Sequence, residues 1–422
     1  MGKTFAEKVL GRAAGCEVRS GDIVTVYPDF CLSHENTSAI AATFRTIGVE
    51  HVYDPDRIVV VFDHTVPPPT GEYANSQKKT REFIREQGIG HFYDMNNCGG
   101  ICHQILCQEG YAAPGLIIVG ADSHTCTHGA MGAFATGIGR SEMAAVWATG
   151  KLWLRVPESM KIEVEGSFPP GVTAKDFILT VAGDITASGA DYLSIEFHGS
   201  AIEAMSLGER MTICNMAVEM GAKTAYMQPN EDVLRYVEEH AVFPYEVQYT
   251  DPDFQYAESY VFDVSSMEPE LACPSSVENV HTLRSVIAEG EVRLNQGYIG
   301  SCTGGRDEDI AIAAKILKGK HIPPYTRLII VPASAQVLQR CLEKGYIQDL
   351  IQAGATLAAP GCAACLGVHE GILAPGEVCI TSTNRNFPGR MGSKEAKLYL
   401  ASPAAVAASI LNGRITDPTP YL

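Results

Sequence analysis

Gly300-Ser301-Cys302-Thr303-Gly304-Gly305 and, sixty residues on, Pro360-Gly361-Cys362-Ala363-Ala364-Cys365-Leu366-Gly367 decide how this chain is read. Together they bring three cysteines, one alone in a small-residue turn and two as a C-x-x-C. A structural zinc usually closes on four ligands, so three thiolates suit it poorly. Three suit an iron–sulfur cluster that keeps one iron open, because such clusters normally take four cysteine thiolates. The surrounding glycines fit the same reading, since backbone can come close to sulfides only where no Cβ intervenes. Taken alone, the C-x-x-C reads equally as a thiol redox pair or as half of a zinc site.

The chain has 422 residues, is 46% hydrophobic and carries a formal net charge of −17. That length predicts two or three domains with ample core. The acidic balance argues against nucleic acid as a partner, because phosphate backbones are held by clustered Lys and Arg. No run approaches the roughly 18 consecutive apolar residues of a membrane span. The opening Met1-Gly2-Lys3-Thr4-Phe5-Ala6 has no leader-type apolar segment, and Ala6 stands where a myristoylation pattern needs Ser or Thr. Thirteen cysteines read as metal ligands and buried small hydrophobes in a reducing compartment. The expectation is a cytoplasmic protein, free of membrane.

Working outward, the chain alternates buried strands and helices, an α/β pattern. Residues 58–62 are a continuous apolar strand ending in Asp63-His64, where the acid can orient the imidazole. Residues 115–120 form another such strand, ending in Asp122-Ser123-His124-Thr125. His103 opens an apolar helix behind Gly99-Gly100, a position suited to acid–base work or carboxylate binding. His34 lies in a polar strand-to-helix junction that reads either as a ligand contact or as helix capping. Glu196 sits inside a strand over residues 193–199, and residues 212–221 read as an apolar core helix. The small-residue stretch from Gly129 to Gly139 reads as close packing, not a nucleotide site. Asn384-Arg385-Asn386-Phe387-Pro388-Gly389-Arg390 puts two arginines near the paired cysteines, and Arg forks grip carboxylates. Residues 394–411 read as one or two closing helices. Changes of pattern divide the chain into 1–157, 158–270 and 271–422.

Asp122-Ser123-His124-Thr125, Ser301-Cys302-Thr303, Gly361-Cys362-x-x-Cys365 and Asn384-Arg385-Asn386-Phe387-x-Gly389-Arg390 together resemble the motifs of the aconitase superfamily, in order and over essentially the whole chain. Length and the ending at Ile415-Thr416-Asp417-Pro418 resemble the large subunits of its two-subunit branch, typified by the 3-isopropylmalate dehydratases of leucine biosynthesis, with homoaconitases and 2,3-dimethylmalate dehydratases as near relatives. The resemblance implies a three-domain α/β/α architecture around a [4Fe-4S] cluster, without the swivelling domain of single-chain relatives. It implies cluster ligation by Cys302, Cys362 and Cys365 with one iron open. It implies three acid–imidazole pairs, Asp63–His64, His103–Asp122 and His124–Glu196, with the first His protonating a leaving hydroxyl. Ser123, Asn384, Arg385, Arg390 and His34 are carried over as substrate contacts.

The implied activity is a hydro-lyase that isomerises a 2-hydroxy dicarboxylic acid by dehydration and rehydration. The implied partner is a small subunit carrying the swivelling domain and its serine base, since no segment after Ser393 is long enough to be that domain. Two departures stand out: Gly304 where many relatives have Asn, and Ala363-Ala364 where Gly-Pro is common. Without a cluster, the three cysteines stay free or Cys362 pairs with Cys365. The alternative of another class, an Fe–S or thiol redox protein, leaves the His–carboxylate strand ends and the arginines unexplained.

Overall fold

The structure is a computed structural model and describes residues 2–96 and 98–422. Three parallel or mostly parallel sheets carry it. The first has five parallel strands in the spatial order His91–Tyr93, Ile58–Val61, Phe30–Ser33, Ile117–Gly120, Phe134–Gly137. Ile58–Val61 and Ile117–Gly120 are buried along their whole length, as β-branched runs covered on both faces should be. The chain runs outward from Phe30–Ser33 to one side, then returns with Ile117–Gly120 to the other. The crevice between those two strands is therefore a topological switch point, the place where open α/β sheets bind ligands. His34 and Asp122 follow directly on these two strands, and Asp63-His64 on the neighbouring one.

The second sheet is four parallel strands, Thr224–Met227, Ser194–His198, Ser159–Glu165 and Glu258–Asp263. The third has seven strands in the order Val280–Thr282, Glu270–Ala272, Lys397–Ala401, Val378–Thr381, Gln296–Ile299, Arg327–Ile330, Thr356–Leu357. Its own switch point falls between Gln296–Ile299 and Val378–Thr381, which are parallel neighbours. Cys302 follows the first of these strands and Asn384-Arg385 the second, so the third sheet presents its ligand edge in the same manner.

The change near residue 157 is a change of sheet and not a break in the interior. Phe30, Val59 and Ile118 share one hydrophobic core with Met160, Ile195 and Phe197. The third sheet has a core of its own around Ile299, Leu328, Ile380 and Val406, and its strand order already includes residue 270. The first and third units are laced by main chain: Gly100 bridges Ser334, Ile101 N–H donates to the Ala333 carbonyl at 2.8 Å, and Ala335 N–H donates to Gly99 at 2.8 Å. A Cβ on Gly100 would lie 2.6 Å from the Ser334 Cβ, so glycine is required there.

The closing segment is not all helix. Lys397–Ala401 is a strand paired with Val378–Thr381, and only Pro403–Asn412 is helical. The run Leu398-Tyr399-Leu400 is buried on both faces, which satisfies strand burial as well as it does a helix. Close packing at Gly129 is literal, because a Cβ there would meet the Ala225 carbonyl oxygen at 2.0 Å.

Candidate active site

Loops from the two switch points meet at one cavity of about 120 Å³. Asp63, His64, His103, Asp122, Ser123 and His124 line it from the first sheet; Cys302, Cys362, Cys365, Asn384, Arg385 and Arg390 line it from the third. Residues up to 327 positions apart in sequence, from Asp63 to Arg390, thus face one space.

The acid–imidazole pairs are built as follows. Asp63 Oδ1 meets His64 Nδ1, and Asp63 Oδ2 accepts the Cys102 N–H at 2.8 Å. Burial would raise the Asp63 pKa, but His64, His34 and the Cys102 N–H hold it down to about 2. Burial would likewise strip His64 of its proton, yet Asp63, then Asp122 and Glu35, push it up to about 10. His64 Nε2 lies 3.7 Å from Asp122 Oδ2. Asp122 Oδ1 pairs with His103 Nε2 at 2.8 Å and accepts the His124 N–H at 2.8 Å. Its pKa lies well below the carboxylate range, burial being outweighed by these imidazoles. The Ser123 hydroxyl is 3.4 Å from His124 Nδ1.

The third pair differs from the sequence reading. His124 Nε2 pairs with Glu219 Oε1 at 2.8 Å, not with Glu196. Glu196 is fully buried elsewhere, accepting from Thr250 and Tyr256 hydroxyls at 2.7 Å each. Alternation along Ser194–His198 sends Ile195 and Phe197 into the shared core and Glu196 to the opposite face of its sheet. Glu219 lies in the turn after the helix Leu207–Met216, within the segment read as plain core helix. Its one charge in the run Ala217-Val218-Glu219-Met220 was the available signal, since a buried acid needs a partner. Arg385 Nε also donates to Glu219 Oε1 at 2.8 Å. Burial raises the Glu219 pKa, but His124 and Arg385 prevail and lower it.

His34 stands behind the cavity and does not line it. Its ring stacks on His64 with centroids 4.2 Å apart. Glu35, next to it, is a residue the sequence did not single out; it accepts the Thr65 N–H at 2.8 Å and the His64 N–H at 3.2 Å, fixing the loop that carries His64.

On the other wall, Cys302 is 6% exposed, Cys362 6% and Cys365 2%, and Cys362 is joined to Cys365 as a disulfide. A cluster would take both as thiolates, so it requires that pair reduced. In other respects the donor set fits. Three buried sulfurs reach one cavity, and the Asn384 amide is 3.3 Å from Cys302 Sγ while also donating to Asn215 Oδ1 at 2.9 Å. Ser301 and Ala363, each beside a cysteine, hold positive φ of 74° and 49°. A Cβ on Gly361 would approach the Asp63 carbonyl oxygen to 2.7 Å, and Cys362 N–H donates to that same oxygen. The cysteine loop is thus pressed against the acid–base loop. Gly304 is explained by its neighbour: a Cβ there would meet Ser382 Oγ at 2.3 Å.

Arg306, buried, ties Cys302 in place, donating to its carbonyl at 2.5 Å and to Gln104, Gly208 and Thr212. Arg390 faces the cavity; its guanidinium lies over the Phe387 ring, 5.8 Å from the centroid, and among the described residues has no hydrogen-bond or ion-pair partner. That leaves its fork free for a ligand carboxylate.

Two sheets offering opposed switch points, with acid–imidazole pairs on one and three cysteines on the other, define a member of a known enzyme class: the chain belongs to the aconitase family (aconitate hydratase), which it matches over residues 7–413. It is 51% identical to 3-isopropylmalate dehydratase large subunit 1 of Methanopyrus kandleri, with 100% of each chain covered. It is 49% identical to the probable methanogen homoaconitase large subunit of Methanothermobacter thermautotrophicus, covering 98% of this chain and 97% of that one. The probable 3-isopropylmalate dehydratase large subunit of the same organism is 46% identical, with 99% of each covered.

Proposed function

We propose that the chain is the large, cluster-binding subunit of a cytoplasmic hydro-lyase that isomerises a 2-hydroxy dicarboxylic acid, with 3-isopropylmalate as the substrate. The observation that supports this best is the single cavity lined by His–Asp pairs from one sheet and by Cys302, Cys362, Cys365 and Arg390 from the other. A [4Fe-4S] cluster on the three cysteines supplies, when bound, an open iron as Lewis acid for a substrate hydroxyl and carboxylate.

The chain's own groups do the rest. Asp63 accepts the Nδ1 proton and stabilises His64 as the imidazolium, so Nε2 also carries a proton towards the cavity. That proton is available to a departing hydroxyl. Asp122, shared by His103 and by the His124 main chain, keeps both rings in register. Glu219 holds His124 by Nε2, and Arg390 grips a substrate carboxylate. The small subunit implied by the names of the relatives completes the site, contributing the base for the α-proton and the contacts that read the substituent on the third carbon.

Homoaconitase is the second reading, because a relative of that name, at 49% identity, falls between two named for 3-isopropylmalate at 51% and 46%. An anaerobic assay of the iron-reconstituted chain, with and without a candidate small subunit, tests both. Absorbance of the unsaturated acid is followed from 3-isopropylmalate, homocitrate and 2,3-dimethylmalate. Partner-dependent turnover of 3-isopropylmalate is expected; turnover of homocitrate alone transfers the assignment, and turnover of none removes it.

A further inference from the structure

Lys175 is the second residue of the helix Ala174–Ile185 and is 2% exposed. Its placement is costly three times over. A buried ammonium loses several kcal/mol of hydration, about what an ion in a protein interior forfeits after relaxation. The first turn of a helix carries partial positive charge, which disfavours a cation. Among the described residues, no carboxylate oxygen lies within 4.0 Å of its Nζ, so no ion pair repays the burial. Instead Nζ donates to the Thr383 carbonyl at 2.6 Å, the Ser382 carbonyl at 3.1 Å and the Thr303 hydroxyl at 3.5 Å. These three residues belong to the two loops at the third sheet's switch point, one of them next to Cys302 and another next to Asn384. The lysine therefore reaches from the second sheet's helix into the floor of the cysteine loops. Burial is the main influence on its pKa and pulls it down to about 7.

A fixed buried cation without a fixed anion makes sense where the anion is a ligand. Three thiolates and a [4Fe-4S] core sum to a net negative group, more negative once reduced, and net charge is one of the quantities that set a cluster's potential. We propose that Lys175 is the buried counter-charge of the cluster held by Cys302, Cys362 and Cys365, favouring the loaded loops over the empty ones and raising the cluster's reduction potential. This rests on the cluster-binding reading given above. Lys175 touches neither substrate nor the cavity lining; it is a positioning and charge-setting residue that acts through the loops it holds.

Lys175→Met removes the charge and the donors; Lys175→Gln removes the charge and keeps an amide that can serve the carbonyls. Each is reconstituted anaerobically beside the wild type, with iron and sulfide content measured. The midpoint potential of the cluster is read by an EPR-monitored titration. Thermal midpoints are taken with and without cluster. The expected result is a lower potential in both variants and a smaller cluster-induced gain in thermal midpoint than in the wild type. The sign separates charge from packing, because loosened packing that admits water favours the more charged, reduced form and moves the potential upward. An unchanged or raised potential, or an equal gain on loading, overturns the proposal while leaving the cluster reading intact. If neither variant folds with or without cluster, Lys175 is structural and the proposal is overturned. If the wild type itself takes up no iron and sulfide, the cluster reading fails and this inference with it.

Discussion

His124 Nε2 and Glu219 Oε1 lie 2.8 Å apart although 95 residues separate them, and the same oxygen takes Arg385 Nε at 2.8 Å. One carboxylate thereby sets both an imidazole of the first sheet and an arginine of the third. Glu219→Gln keeps the shape and removes the charge, and is expected to lower kcat by about 10²–10⁴-fold, the usual contribution of a placed acid–base group. Glu196→Gln should instead leave kcat within a few-fold and cost stability, about 1–3 kcal/mol for its two buried hydrogen bonds. Steady-state kinetics and thermal denaturation of the two variants check this; a large kcat loss in Glu196→Gln alone would restore Glu196 to the site.

The second prediction concerns pH. His64 holds its proton more tightly folded, to about 10, than unfolded. Its contribution to stability is therefore complete below the unfolded value, about 6.5, and is lost as pH rises towards 10. Asp63, lowered to about 2 in the fold, contributes stability above the unfolded carboxyl value of about 3.9 that is lost as pH falls through 2. Asp63→Asn removes the charge that favours the imidazolium, so the alkaline limb of the kcat profile should move to lower pH. An unmoved limb would show that another group carries it.

Cys302→Ser should abolish cluster absorbance and turnover while leaving the fold intact, since the residue is held by its main chain through Arg306. Iron content and circular dichroism distinguish this from unfolding; a variant with full iron content would show that Cys302 is no ligand.

Arg390→Lys retains the charge but loses the fork. Because the Arg390 guanidinium makes no ion pair among the described residues and only lies over the Phe387 ring, which a lysine ammonium can also do, the change should act mainly on substrate, raising KM on the order of tenfold with little change in thermal midpoint. A fall in thermal midpoint with KM unmoved would make Arg390 structural.

Gly304 and Ser382 make a coupled pair. Gly304→Ala puts a Cβ 2.3 Å from Ser382 Oγ, which itself accepts from Gly300 N–H at 3.1 Å. The expected cost is about 1–3 kcal/mol for overpacking. Adding Ser382→Gly should return part of that cost, a non-additivity measurable by denaturant titration. Strict additivity would mean the two side chains do not compete for the space.

The strand ends were readable because their chemistry stands at boundaries. Asp63-His64 and Asp122-Ser123-His124 follow runs so apolar that the break itself marks a sheet edge. Cys302, Cys362 and Cys365 were marked by glycine and small residues. What failed was direction within an element. Glu196 has the right type and a plausible distance along the chain, but a strand's two faces differ by one residue and sequence alone does not say which is which. Glu219 was hidden in an apolar run whose periodicity spoke for core, and in Leu398-Tyr399-Leu400 a strand buried on both sides looked like helix. Lys175 carried no signal at all, being one cation in the first turn of an amphipathic helix.

The lacing of Gly99, Gly100 and Ile101 to Ala333, Ser334 and Ala335 bears on how substrate comes and goes. Two bodies joined by main-chain hydrogen bonds at their seam must break those bonds to open there. With those bonds intact, the imidazole wall and the sulfur wall keep their spacing, a gauge against which a substrate is measured. Gating then belongs to side chains at the mouth and to whatever docks over it, so that speed of release can change by altering the cover while the spacing that defines the chemistry stays constant.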